Sequence, residues 1–113
     1  MSLDVYLSTP ACPTCGHSEE VFWANITHNL GEMAQAAGVY QACWHPEEIG
    51  ATRAADIIPA LENGFRALKN NPERFRRFDS PNDWGRYEHF VRFVKKYLHA
   101  CQRNPNAEIR ISR

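Results

Sequence analysis

Short apolar runs at residues 3–8 and 20–24 are separated by Pro10, Pro13 and Gly16, a spacing that predicts two strands joined in a turn-rich hairpin. The period then changes. Leu30, Met33, Ala34 and Ala37 recur every three or four positions, which predicts a helix capped by Thr27 or Asn29 and ended by Gly38. Tyr40, Cys43 and Trp44 would extend that stripe, but Gly38, Pro46 and Gly50 predict a break and an irregular segment. From Ala54 the helical period returns through Ile57, Leu61, Phe65 and Leu68, with Pro59 tolerable only near the helix start, until Asn70-Asn71-Pro72 stops it. Between Glu73 and Asp83 no period is sustained, so a short turn of helix and a loop are expected. Asn82 or Asp83 then caps a long helix reaching about Gln102, with a core stripe of Tyr87, Val91, Val94, Leu98 and Cys101 flanked by Phe90, Phe93 and Tyr97. After Asn104-Pro105-Asn106, the alternation Ala107, Ile109, Ile111 predicts a final strand.

Together these elements predict an α+β fold, in which a small antiparallel sheet (the N-terminal hairpin plus the C-terminal strand) packs against three helices as one domain over 1–113. A chain of 113 residues, 43% hydrophobic, has the apolar mass for one core and not for two. The opening Met1-Ser2-Leu3-Asp4-Val5 has neither a basic nor an apolar leader region, and no apolar window approaches membrane-spanning length; a cytoplasmic protein without a membrane partner is expected. In that compartment the four cysteines are reduced or metal-bound, and the acceptor pattern Asn25-Ile26-Thr27 is chemically idle.

The net charge of zero conceals an asymmetry. Residues 1–52 hold six carboxylates and no lysine or arginine, whereas residues 53–113 hold all thirteen basic residues and seven acids. Such halves either attract each other or leave a basic surface for an anion. Arg92, Lys95, Lys96, His99 and Arg103 fall at i, i+3, i+4, i+7 and i+11 of the predicted C-terminal helix, placing five potential cations on one face. Phosphate or nucleic acid is one partner for such a face; a solvated flank balanced by Glu32, Glu47 and Glu48 is the other reading, and it is favoured because the helix lacks interleaved aromatics. Trp44, Trp84 and Tyr87 could stack on a ligand, although aromatics at helical spacing more often belong to a core.

Cys12-Pro13-Thr14-Cys15-Gly16 has the form of a zinc knuckle, whose turn aims two thiolates at one tetrahedral ion. The remaining ligands of a structural zinc would come from Cys43 and His45, the best pair among His17, Cys43, His45 and Cys101; the alternative is a plain hairpin turn. Asn25, Thr27, His28 and Asn29 gather at the predicted strand-to-helix junction, where free helix amides can hold a small anionic or carbonyl-bearing ligand, or where Asn and Thr merely cap the helix. No recognised hydrolase, metalloprotease, P-loop or dinucleotide fingerprint occurs. The adjacent Glu47 and Glu48 are expected to point apart, poor geometry for paired acid and base work.

The strings Asn25-Ile26-Thr27-His28-Asn29-Leu30, Ala37-Gly38-Val39-Tyr40, Trp44-His45-Pro46-Glu47-Glu48, Trp84-Gly85-Arg86-Tyr87-Glu88 and Tyr97-Leu98-His99-Ala100-Cys101, with Met33, resemble a set of small bacterial proteins also met in phages and prophages. The likeness runs from Asp4 to Arg113. It implies no activity; it singles out the polar junction and the Trp44–Glu48 segment, and marks the cysteine knuckle as a departure from a polar hairpin. The leading expectation is a non-catalytic binding or interaction module whose unidentified small-molecule or protein ligand sits between Asn25, Thr27, His28 and Asn29 on one side and a stacking wall of Tyr40 and Trp44 on the other. The alternatives are an anion or nucleic-acid binder using the basic stripe, and a phage-type inhibitor that docks on a host protein or captures a nucleotide signal.

Overall fold

A computed structural model describes residues 2–78 and 86–113. Strand β1 (Ser2–Ser8) alternates half-exposed and buried positions, with Leu3, Val5 and Leu7 fully buried. It pairs antiparallel with β2 (Glu20–Thr27) on one side and with β3 (Glu108–Ser112) on the other, so the sheet order is β2-β1-β3. The register aligns Leu3 with Ile26, Val5 with Ala24 and Ile111, and Leu7 with Phe22 and Ile109, setting all the inward apolar side chains on one face. The opposite face carries Asp4, Tyr6, Trp23, Asn25 and Arg110.

β2 runs three residues beyond the predicted 20–24. Asn25 and Thr27 are outward positions alternating with buried Ile26, so their polarity belongs to the strand's solvent face rather than to its end. A 3-10 turn over His28–Leu30 follows, capped by the Thr27 hydroxyl, which accepts from the Asn29 N–H at 3.3 Å. It leads into helix α1 (Gly31–Ala37), which ends as expected at Gly38 in the left-handed region (φ 81°). The segment expected to be irregular instead restarts at once as helix α2 (Tyr40–Trp44) and a 3-10 turn over Pro46–Ile49.

Helix α3 (Ala54–Asn70) buries Ala54, Ile57, Leu61, Gly64 and Leu68 along one stripe. Its start is tied down from two directions. The Asp56 carboxylate accepts the Thr52 and Arg53 N–H groups, each at 3.0 Å, while the Ala54 and Ala55 N–H groups donate to the carbonyls of Ala107 and Pro105. Helix α4 (Pro72–Arg76) is the short turn expected after Asn71. Helix α5 (Tyr87–Arg103) has Arg86 at its N-cap position; the expected caps Asn82 and Asp83, and Trp84, lie outside the described residues.

The buried face of α5 is wider than its predicted stripe. Phe90, Phe93, Tyr97 and Ala100 are buried with Tyr87, Val94, Leu98 and Cys101, whereas Val91 is only half-buried. The cause is that α5 packs against α3 on one side and β2 on the other. Tyr87 ties it to α3 by donating its hydroxyl to the Leu68 carbonyl, and Tyr97 stacks on Phe22 of β2 with ring centroids 5.7 Å apart. Residues of both charged halves share one apolar core, giving a single α+β domain. Arg113 to Glu47 is the ion pair joining the halves among the described residues, so the association is chiefly apolar. No helix of the described residues is long and apolar enough to cross a membrane.

Candidate functional site

Because β2 lies at the sheet edge and α5 packs beside it, the strand's free side and the exposed flank of the helix enclose a groove of about 440 Å³. Trp23, Asn25 and Thr27 form one wall; His89, Arg92 and Lys96 form the other. Beyond Lys96 a second hollow of about 270 Å³ continues past Val21 to His99 and Arg103. Among the described residues no Asp or Glu lines either hollow. The Trp23 indole is 53% exposed, held by an Nε1–H donated to Asp4 Oδ1 at 3.3 Å, and Asn25 Nδ2 donates to the same oxygen at 2.8 Å.

Arg92, Lys95, Lys96, His99 and Arg103 are all exposed, and none is in an ion pair within the described residues. Of the expected balancing acids, Glu47 and Glu48 are engaged elsewhere. Glu47 meets Arg113 at 3.2 Å and His45 at 3.2 Å, Glu48 lies 3.7 Å from His45, and Glu32 lines a different groove. Four of the five predicted cations border the groove and its extension, while Lys95 does not.

The residues expected to form one polar pocket are divided between two. Asn25 and Thr27 face the β2–α5 groove, and Thr27 serves as the helix cap. His28, Tyr40 and Trp44 come together on the far side of the junction, in a groove of about 430 Å³ shared with Glu32, Gln35, His45 and Arg113. The stacking wall is present, with Tyr40 and Trp44 rings 5.3 Å apart at 13°. Two of its polar groups are engaged within it: Trp44 Nε1–H donates to His28 Nδ1 at 2.9 Å, and Arg113 Nη1 donates to the Trp44 carbonyl at 2.7 Å. Asn29 is exposed and lines neither groove.

The four-donor zinc set is not assembled. Cys12 and Cys15 sit at the hairpin turn, where the N–H groups of Cys15 and Thr14 reach the Cys12 sulfur and lower its thiol pKa. Cys43 is buried in the core, where desolvation and the neighbouring Cys101 push its thiol far up. No three of Cys12, Cys15, Cys43 and His45 come within 4.8 Å of one another. Among the described residues the donors that do converge are His45, Glu47 and Glu48, against the expectation that the two carboxylates point apart. The tight 3-10 turn after His45 brings both back onto its Nδ1, and their pairing with His45 and Arg113 accounts for the cluster. The Glu47 carboxyl is lowered by its own N–H, by His45 and by Arg113.

Sequence reasoning missed Trp23 and His89. His89 was accessible, since it stands three residues before Arg92 and extends the basic stripe by a turn. Trp23 was not, because only the β2–α5 packing brings an aromatic from another element to the cationic face. No family model, curated protein or solved structure matches the chain.

Proposed function

We propose that the protein is a binding module that takes an anionic ligand in the groove between β2 and α5. The observation carrying this reading is that His89, Arg92 and Lys96 line one wall with no ion-pair partner among the described residues, while Glu47 and Glu48 pair with His45 and Arg113. Arg92 supplies a planar fork of donors and Lys96 a compact charge, both suited to phosphate or carboxylate. Asn25 and Thr27 add short-range polar contacts from the strand. The reading favours the basic stripe over the His28–Tyr40–Trp44 groove, where Trp44 Nε1 is already bonded to His28 and Arg113 to the Trp44 carbonyl and Glu47.

The test is retention on heparin and stabilisation by pyrophosphate in a thermal melt. Wild-type protein is expected to elute later than a neutral protein of its size and to melt higher with pyrophosphate; Arg92→Gln with Lys96→Gln removes both effects while leaving the ligand-free melting temperature within a degree or two. Equal retention of wild type and variant overturns the reading.

A further inference from the structure

The two hollows beside α5 share Lys96, and together they make one track rather than two pockets. From Arg92 to Arg103 is eleven residues of helix, a rise of about 16 Å at 1.5 Å per residue. Along that length Arg92, Lys96, His99 and Arg103 border one side, and Val21 to Thr27 of β2 border the other. A single phosphate or small anion needs one end of such a track. An extended chain of phosphates uses all of it. The β2 wall offers more than polarity, because the exposed side chains Val21 and Trp23 face outward from an edge strand with no element over them among the described residues. Trp23 is the largest exposed apolar group described, and it lines the same hollow as Arg92 and Lys96.

Resting on the anion reading above, we infer that the ligand is a single strand of nucleic acid, its phosphates following Arg92, Lys96 and Arg103 and one base stacked on the Trp23 indole. Cations spaced along a groove and an aromatic ring beside them are the two parts of a sequence-tolerant single-strand site. A duplex keeps its bases stacked on one another and has none to place on Trp23. An acidic peptide would satisfy the cations but would leave the ring without a flat partner.

The test measures fluorescence anisotropy of fluorescein-labelled oligo-dT of twelve nucleotides, at 50 and 200 mM salt. Three neutralised phosphates give a slope of about −0.7 each, or −2 in all, so the affinity falls about 20-fold between the two salt concentrations. Lys96→Gln with Arg103→Gln leaves one phosphate contact, and the fall shrinks to about 3-fold. Trp23→Ala weakens binding by about 5- to 150-fold at either salt without changing the slope, and Trp23→Phe restores most of it. All three positions are exposed, so circular dichroism of the variants is expected to match wild type. Heparin retention that depends on Lys96 and Arg103, with oligo-dT affinity indifferent to Trp23, overturns the single strand and leaves the anion reading standing. A twelve-base-pair duplex bound as tightly as oligo-dT also overturns it. Absence of binding to heparin, pyrophosphate and oligo-dT alike overturns both.

Discussion

Gly64 lies on the buried stripe of α3 where the helix crosses the end of α1, and a Cβ added there would overlap Val39 Cγ1 and approach the Ala37 carbonyl oxygen to 3.2 Å. Two effects of Gly64→Ala oppose each other. Alanine gains about 1 kcal/mol over glycine inside a helix. Overpacking a filled core costs about 1–3 kcal/mol, and the upper half of that range applies because Val39 is fully buried and its branched side chain has little rotamer freedom. The net expectation is a loss of about 1–2 kcal/mol, or about 4–8 °C in Tm for a domain of this size. Urea unfolding followed by circular dichroism measures it. The decisive step is the cycle with Val39→Ala: once Cγ1 is gone, the remaining Val39 contact is Cβ at an ordinary 3.6 Å, so the Gly64→Ala penalty shrinks by about 1–2 kcal/mol in that background, with only the Ala37 carbonyl oxygen left to give way. A Gly64→Ala effect of the same size in both backgrounds refutes the close α1–α3 approach.

Three further outcomes are expected. Dithionitrobenzoate at pH 8 should modify two of the four thiols of the folded protein quickly, since Cys12 and Cys15 are accessible and the amides of Cys15 and Thr14 favour the Cys12 thiolate, whereas Cys43 and Cys101 (thiol raised by burial to about 12) react only on unfolding; four equal rates would contradict the burial of the latter pair. The Asp56 carboxyl is lowered by the Arg53 and Thr52 N–H groups, so its contribution to stability is complete above its unfolded pKa of about 4 and is lost as the pH falls through its lower folded value; Asp56→Ala should lower Tm at pH 7 and narrow that difference toward pH 2, and a constant difference across this range would deny the capping role. The Tyr97 hydroxyl is buried with no hydrogen-bond partner among the described residues, so Tyr97→Phe should raise stability by about 1 kcal/mol in urea unfolding; a loss of that size would mean the hydroxyl is satisfied.

Elements with a sustained period were legible in the sequence. The hairpin, the Leu30–Ala37 helix, the helix from Ala54 and the final strand all follow from alternation or helical spacing, and Gly38 stops its helix for the conformational reason expected of glycine. Helix α2 was not legible because five residues span too little to display a period, and the apparent breakers Gly38 and Pro46 bracket it rather than abolish it. Phe90, Phe93 and Tyr97 were assigned to a flank because a stripe on one helix cannot reveal that two elements will cover it. The candidate groove was half legible. Its cations stood out by their spacing on α5, whereas its aromatic wall depends on a contact between positions about seventy residues apart. The zinc set failed for the complementary reason: Cys15 and Cys43 are chemically matched, but the fold exposes one at a turn and seals the other in the core.

The central strand of the sheet is β1, and its neighbour β3 pairs Asp4 with Ser112, more than a hundred positions away. During synthesis the hairpin must therefore wait, one side of β1 unpaired, until nearly everything else described here has left the ribosome. Closing so long a loop slows folding more than it weakens the finished fold. A nascent chain stalled before Glu108 would expose the open edge of β1 to any extended segment nearby, and that half-built sheet is the species in which misassembly should begin.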